Sequence, residues 1–100
     1  MPLVKASEIL ADAKAHKYAV ASFNVLNVES ARGIVAAAEK LNQPVILAHA
    51  QLHEKYAPLD YIAPVLVNAA KMAKVPVAAM LDHGVDYDYI VRSLRQSLHS

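Results

Sequence analysis

Hydrophobic residues along this chain fall into two alternating patterns, short continuous runs and longer stretches with helical spacing. The run Val75–Leu81 has no charged or hydrogen-bonding side chain, which is typical of a strand buried on both faces, as in a parallel sheet covered by helices. Tyr18–Val25 and Pro44–Ala48 are rich in β-branched and other apolar residues and lack a helical stripe. The pattern therefore predicts three strands.

Around these strands, apolar residues recur every three or four positions, as on one face of an α-helix. The spacing predicts four helices, which run from an N-cap at Ser7 to about Lys14, from an N-cap at Asn27 to about Lys40, from about Asp60 to Ala73 with Pro64 in the first turn, and onwards from Asp86 or Asp88. The apolar stripe expected on the last helix is Tyr87, Ile90, Val91, Leu94 and Leu98. Gly33 marks either a close approach of the second helix to a neighbour or an ordinary surface position.

The order of elements, one helix followed by three strand–helix units, predicts an α/β fold with a parallel sheet and right-handed crossovers. A doubly wound, dinucleotide-binding sheet would need a glycine-rich turn after its first strand, whereas the only glycines are Gly33 and Gly84. A (β/α)₈ barrel places catalytic and binding groups at successive strand ends. Such positions are occupied here by Asn24, His49 and the pair Asp82-His83. The sequence therefore favours the barrel, of which residues 1–100 would be the N-terminal portion.

Composition narrows the class of protein and of partner. A hydrophobic content of 56% with 19% charged residues is typical of a soluble globular domain. Ten basic and nine acidic residues give a net charge of +1 without a basic stripe, so no nucleic-acid partner is expected. No apolar run reaches the ~20 residues of a membrane span, and the first residues do not resemble a signal peptide. A cytoplasmic location is therefore expected.

Asp82 and His83 form the main candidate site, because they directly follow the apolar run Val75–Leu81. In parallel α/β folds the carboxyl ends of strands carry ligands and catalytic groups. Without cysteine in the chain, any metal would be bound by histidine or a carboxylate. The alternatives are that Asp82 caps the last helix or a turn, and that His83 is a satisfied histidine at the edge of the core.

Several segments together carry a resemblance to a known family. They are Met-Pro-Leu-Val at the start, Tyr18-Ala-Val-Ala-Ser-Phe-Asn-Val-Leu-Asn, Ala36-Ala-Ala-Glu, Pro44-Val-Ile-Leu, Val75-Pro-Val and Leu81-Asp-His-Gly. In this order and spacing they resemble the N-terminal part of the class II, zinc-dependent fructose- or tagatose-bisphosphate aldolases. The resemblance implies a homodimeric or homotetrameric (β/α)₈ barrel enzyme of glycolysis or related carbohydrate metabolism. Such a lyase cleaves a phosphorylated ketose sugar reversibly into dihydroxyacetone phosphate and an aldehyde.

The resemblance also implies roles for individual residues. Asp82 would be the proton-transfer residue, His83 a ligand of Zn²⁺, and Asn24 a substrate contact. Because the family takes its other zinc ligands from later strands, His49 and His53 are expected to be loop or surface histidines, and the 100-residue segment alone is expected to be inactive. Adjacent residues at a strand end usually diverge, so the Asp82 and His83 side chains are expected to point apart.

The sequence leaves alternatives open for the substrate and for the class of function. Many members of the family have a small hydroxyl residue near position 50 that helps to bind a phosphate, whereas this chain has Ala50, which leaves the particular ketose phosphate open. A different class of function is a non-catalytic α/β module that binds a small anion or assembles through its sheet edge. A third alternative is another metal-dependent (β/α) barrel hydrolase. Such an enzyme could also end a strand in Asp-His, but it would lack the match at Phe23-Asn24.

Overall fold

The structure, a computed structural model, describes residues 3–98. Within that range helices and parallel strands alternate, as the hydrophobic pattern predicts. The elements are α1 (Ala6–His16), β1 (Ala21–Asn24), α2 (Val28–Leu41), β2 (Val45–Ala50), a short 3₁₀ helix (Gln51–His53), α3 (Leu59–Met72), β3 (Val77–Asp82) and α4 (Tyr87–Arg95). No helix in this range is long and apolar enough to cross a membrane.

The three strands form one parallel sheet in the order β1-β2-β3. This result confirms the α/β class and the parallel strand–helix units. β2 lies in the centre and is buried along its whole length, and β3 is largely buried, whereas all four residues of β1 are exposed. β1 is shorter than the predicted strand Tyr18–Val25, because the ladder with β2 begins at Ala21 and ends at Asn24.

The sheet has two faces with different coverings. Alternate residues such as Leu47 and Val77 belong to the main core together with α2 and α3, and their burial contributes about 1.5–3 kcal/mol for each large aliphatic side chain. On the opposite face, Ile9 of α1 packs with Ile46 and Ala78. α1 therefore covers the beginning of the second face and leaves the carboxyl end of the sheet uncovered by that helix.

The helix ends confirm some of the predicted caps and correct others. Asn27 caps α2 in a capping box, in which its Oδ1 accepts from the Ser30 backbone N–H at 2.7 Å. α1 begins earlier than predicted, with Lys5 rather than Ser7 at the N-cap. α4 begins after Asp86 without a side-chain cap bond, because the Asp86 carboxylate accepts from another side chain, Gln51.

Two further predictions about the helices need correction, and the structure decides between the two alternatives for Gly33. Pro64 lies inside α3, beyond its first turn, and is exposed, so the helix lacks the N–H group that would donate to the Asp60 carbonyl. Tyr87 and Leu94 of the expected stripe on α4 are 80% and 51% exposed, and Tyr89 is buried instead. A Cβ added at Gly33 would meet no atom within 4 Å, so this glycine does not mark a close approach.

Candidate active site

The carboxyl ends of the strands carry the predicted site residues. Residues paired across a parallel ladder direct their side chains to the same face of the sheet. Asn24 pairs with Ala48, and Ala50, two positions further along β2, pairs with Asp82. Asn24 and Asp82 therefore share one face, the face that α1 covers at its other end. With a strand spacing of about 4.8 Å, β1 and β3 lie roughly 10 Å apart, which is a span that a sugar phosphate can bridge.

Asp82 ends β3, and His83 turns the chain away from the sheet. His83 has a φ of 54°, a left-handed conformation that non-glycine residues adopt rarely. The Asp82 Oδ2 and His83 Nε2 atoms approach to 3.7 Å, with 37% and 73% of the respective side chains exposed. The expected divergence of the two side chains is therefore wrong, since the left-handed residue breaks the alternation of the strand. A carboxylate and an imidazole lie together and open to solvent.

Gly84 lets the loop after His83 pack closely against the core. A Cβ on this residue would lie 2.7 Å from Ile90 Cγ1 and 2.7 Å from Leu81 Cδ2. A side chain there would force those two residues to move. The glycine is therefore required by space and not by its backbone angles, since no glycine among residues 3–98 has a positive φ.

Gln51 connects the segment after β2 with the segment after β3. Its Oε1 atom accepts from the backbone N–H groups of Val85 at 2.6 Å and Asp86 at 3.1 Å. Its Nε2 group donates to Asp86 Oδ2 at 3.0 Å. A glutamine after a strand has no distinctive spacing, so the sequence pattern does not predict a role for this residue.

His49 is neither a loop nor a surface histidine, which corrects the prediction. It lies in β2 with 0% exposure, because β2 continues to Ala50. Its Nε2 lies 2.7 Å from the Tyr89 hydroxyl, which also lies 2.7 Å from Glu54 Oε1. The signal for this position was available in the sequence, since His49 has the same parity as Val45 and Leu47, which face the helices.

His53 lies in the short 3₁₀ helix and is half-buried. Its Nδ1 atom, like that of His49, is buried without a hydrogen-bond partner among the described residues. His53 therefore lies in the segment that was predicted as a loop, but in a short helix and with its ring partly buried. Neither histidine lies at the exposed end of the sheet with Asp82.

The residues at the end of β3 fit part of a metal site. Catalytic zinc takes three protein ligands and keeps one open position. In the range 3–98, no group of three or more histidine, aspartate or glutamate side chains is placed to hold a metal ion. His83 nevertheless offers an exposed imidazole 3.7 Å from a carboxylate, which suits one ligand of such a site. An imidazole is a donor that zinc accepts, and His83 would supply one of the three protein ligands that a catalytic zinc takes.

A parallel sheet with polar side chains along its carboxyl edge, covered by α2 and α3 on one face and in part by α1 on the other, fits a fragment of a (β/α)₈ barrel. The family model described as "Fructose-bisphosphate aldolase class-II" matches residues 4–100. The chain belongs to the class II fructose-bisphosphate aldolase family, as its sequence motifs predict.

Two relatives illustrate the extent of this similarity. The fructose-bisphosphate aldolase of Thermus caldophilus is 40% identical over 98 residues, which are 98% of this chain and 32% of the relative. The fructose-bisphosphate aldolase of Giardia intestinalis is 38% identical over 85 residues, which are 84% of this chain and 26% of the relative. The chain thus spans about a quarter to a third of the length of these curated relatives.

Solved structures of aldolases share the fold. The YdjI aldolase from Escherichia coli K12 superposes with a TM-score of 0.90 at 29% identity, over 96% of this chain and 37% of that one. A putative fructose-1,6-biphosphate aldolase from Coccidioides immitis superposes with a TM-score of 0.74 at 27% identity, over 88% of this chain and 33% of that one. The three strand–helix units therefore have the arrangement found in a part of these aldolases.

Proposed function

We propose that this chain is the N-terminal part of a zinc-dependent class II ketose-bisphosphate aldolase, a homo-oligomeric cytoplasmic enzyme with a complete (β/α)₈ barrel. The observation that carries the proposal is the pair Asp82 and His83 at the carboxyl end of β3, with Asn24 on the same face of the sheet. Family membership over residues 4–100 favours this function over an assembly module without catalysis. Residues 1–100 alone would be inactive, because they provide an incomplete ligand set for zinc.

Asp82 is proposed to move the proton in the reaction. Aldol cleavage begins when a base removes the proton from the hydroxyl next to the bond that breaks, and condensation returns this proton to the new hydroxyl. The Asp82 carboxylate has the exposure for this role, and its strand holds it in a fixed place. A strand end suits such a group, because small misplacement of a catalytic side chain costs much of the rate.

His83 is proposed to hold the metal beside this carboxylate. Zinc, when bound, would supply Lewis-acid polarisation of the substrate oxygen that becomes negatively charged. The left-handed backbone of His83 places its imidazole next to Asp82, so metal and proton-transfer group would act on the same substrate. The two adjacent residues thereby take different parts of one reaction.

Asn24 is proposed to contact the substrate from the other side of the site. Its amide can both donate and accept a hydrogen bond, which suits the hydroxyl and carbonyl groups of a ketose. Ala50, the partner of Asp82 in the ladder, has only a methyl group to offer, so phosphate binding would fall to other groups. Dihydroxyacetone phosphate is the proposed shared product, and fructose and tagatose bisphosphates are the proposed substrates.

The test is an aldol cleavage assay of the full-length protein that contains this segment. We expect dihydroxyacetone phosphate to be released from fructose or tagatose 1,6-bisphosphate. Activity should disappear after chelation and return with added Zn²⁺, because the charge that develops on the substrate needs the metal. The absence of cleavage with both sugars in zinc-loaded protein would contradict the proposal, and the sugar that is cleaved faster would identify the substrate.

A further inference from the structure

The loop from Asp82 to Asp86 must be held in an unusual shape for the pair at its start to act together. His83 has a left-handed backbone, and Gly84 packs so closely to Ile90 and Leu81 that a Cβ there would force these side chains to shift. A loop with such a conformation persists where its surroundings fix it. The packing of Gly84 fixes the middle of the loop, and other contacts fix its end.

Gln51 provides the contacts at that end. Its Oε1 atom uses both acceptor positions for the N–H groups of Val85 and Asp86, at 2.6 and 3.1 Å. Its Nε2 group donates to the Asp86 carboxylate at 3.0 Å. One side chain thus makes three hydrogen bonds to two consecutive residues of the loop. The amide oxygen acts as the acceptor and the amide nitrogen as the donor in these contacts.

The position of Gln51 is itself fixed by the sheet. It directly follows β2, the fully buried central strand, and begins the short 3₁₀ helix. Its neighbour Ala50 pairs with Asp82 in the ladder. β2 therefore fixes the start of the loop, because it pairs with Asp82. It also fixes the end of the loop, because Gln51 directly follows it.

We infer that Gln51 is a positioning residue of the active site, which holds the loop after β3 so that Asp82 and His83 keep their mutual placement. The inference rests on the proposed function for the roles of those two residues. The hydrogen bonds of Gln51 to the loop do not depend on it. Residues that orient metal ligands from behind typically change metal affinity or activity about 10–100-fold when they are replaced.

The first test compares Gln51→Ala with Gln43→Ala in the full-length protein. Gln43 lies before β2, is exposed, and makes no side-chain hydrogen bond within the described range. We expect Gln51→Ala to weaken Zn²⁺ affinity or lower kcat by about 10–100-fold and to accelerate amide hydrogen exchange at Val85 and Asp86. Exchange at Leu47 in β2 should be unchanged, and Gln43→Ala should match the wild type in every measurement.

The second test separates positioning from general stability by exchanging the two partners. Gln51→Glu keeps the acceptor for both N–H groups but sets two carboxylates against each other, so we expect a loss similar to that of Gln51→Ala. Asp86→Asn alone still accepts from Gln51 and should stay near the wild type. The double variant Gln51→Glu with Asp86→Asn restores an amide–carboxylate pair, and we expect zinc affinity and kcat to return to within about threefold of the wild type.

The outcomes distinguish this inference from the proposed function. If Gln51→Ala behaves like Gln43→Ala in exchange at Val85 and Asp86, or if the double variant is no better than Gln51→Glu, the inference is wrong. If the wild type neither binds zinc nor cleaves ketose bisphosphates, the proposed function fails. The exchange measurements on metal-free protein, with their rescue in the double variant, then still decide whether Gln51 holds the loop.

Discussion

At the scale of single residues, the buried His49 shows how a polar side chain is accommodated under α4. Burial raises the pKa of Tyr89, and its hydrogen bond to Glu54 acts in the same direction, so the phenol remains protonated and donates to the Glu54 carboxylate. The Tyr89 oxygen then accepts from Nε2 of His49. Burial also lowers the pKa of His49, against the opposing effect of the Glu54 carboxylate. A neutral imidazole with its proton on Nε2 follows.

Tyr89→Phe removes the central group of this network. The variant leaves a buried N–H of His49 unpaired and takes one donor from Glu54, so we expect the free energy of unfolding to fall by about 1–3 kcal/mol. Tyr61→Phe is the matched control, because Tyr61 is 77% exposed and should change the stability by less than about 0.5 kcal/mol. Urea unfolding of both variants checks the difference, and equal stabilities would contradict the network.

The lowered pKa of His49 also predicts a dependence of stability on pH. Below the ordinary value of 6.5, the unfolded chain takes up a proton that folded His49 resists, so acidification favours unfolding. Stability is therefore lost as the pH falls from about 7 towards the folded-state pKa. His49→Gln removes this linkage, and its free energy of unfolding should fall less steeply over the same range. A slope equal to that of the wild type would show that His49 does not carry the effect.

At the scale of elements, the two glycines occupy opposite situations. Gly33 lies in the middle of α2, where an added Cβ meets nothing within 4 Å. Gly84 lies in the loop before α4, where a Cβ would meet Ile90 and Leu81 at 2.7 Å. The same substitution therefore has opposite expected effects at the two positions.

Gly33→Ala should stabilise the protein by about 0.5–1 kcal/mol, because alanine loses less conformational entropy in a helix. Gly84→Ala should destabilise it by about 1–3 kcal/mol, because two core side chains must leave their positions. It should also lower activity through the displaced loop beside His83. Thermal unfolding and the cleavage assay measure both effects, and a Gly84→Ala variant with unchanged stability and activity would be incompatible with this packing.

Periodicity in the sequence predicted the elements, while contacts distant in sequence determined their details. Alternation of helices and strands, the Asn27 cap and the parallel sheet follow from local pattern. The buried face of α4 does not, because Tyr89 turns inward to reach His49, 40 positions away. Gln51 was missed for the same reason, since its partners lie 34 and 35 positions further along the chain. The arrangement of Asp82 and His83 depends on one left-handed residue that no periodicity reveals.

At the scale of the whole molecule, β1 presents an exposed edge within the range 3–98. Phe23, Leu26 and Val28 are 47%, 44% and 47% exposed at or just after this strand. Exposed apolar strand edges favour pairing with other chains. In a (β/α)₈ barrel such an edge is covered by the neighbouring strand, because closure of the sheet removes edges.

Residues 1–100 expressed alone should therefore self-associate. Phe23→Lys should reduce the association, since a charge on the edge opposes strand pairing. Leu10→Lys is the matched control, because Leu10 is 53% exposed but lies on α1. Sedimentation velocity checks the prediction. A monomeric segment that melts cooperatively without either substitution would show that β1 needs no covering strand.

The most direct test of the central claim is to measure zinc content and aldol cleavage together in Asp82→Ala and His83→Ala variants of the full-length protein. His16→Ala is the control, because His16 is an exposed histidine on α1. We expect His83→Ala to lose zinc and activity together, because a catalytic site depends on each of its ligands. Asp82→Ala should retain zinc while turnover falls roughly 10²- to 10⁴-fold, as for a positioned acid–base group. Zinc loss in Asp82→Ala without zinc loss in His83→Ala would reverse the two roles. Full activity in both variants would contradict the assignment of the active site to the end of β3.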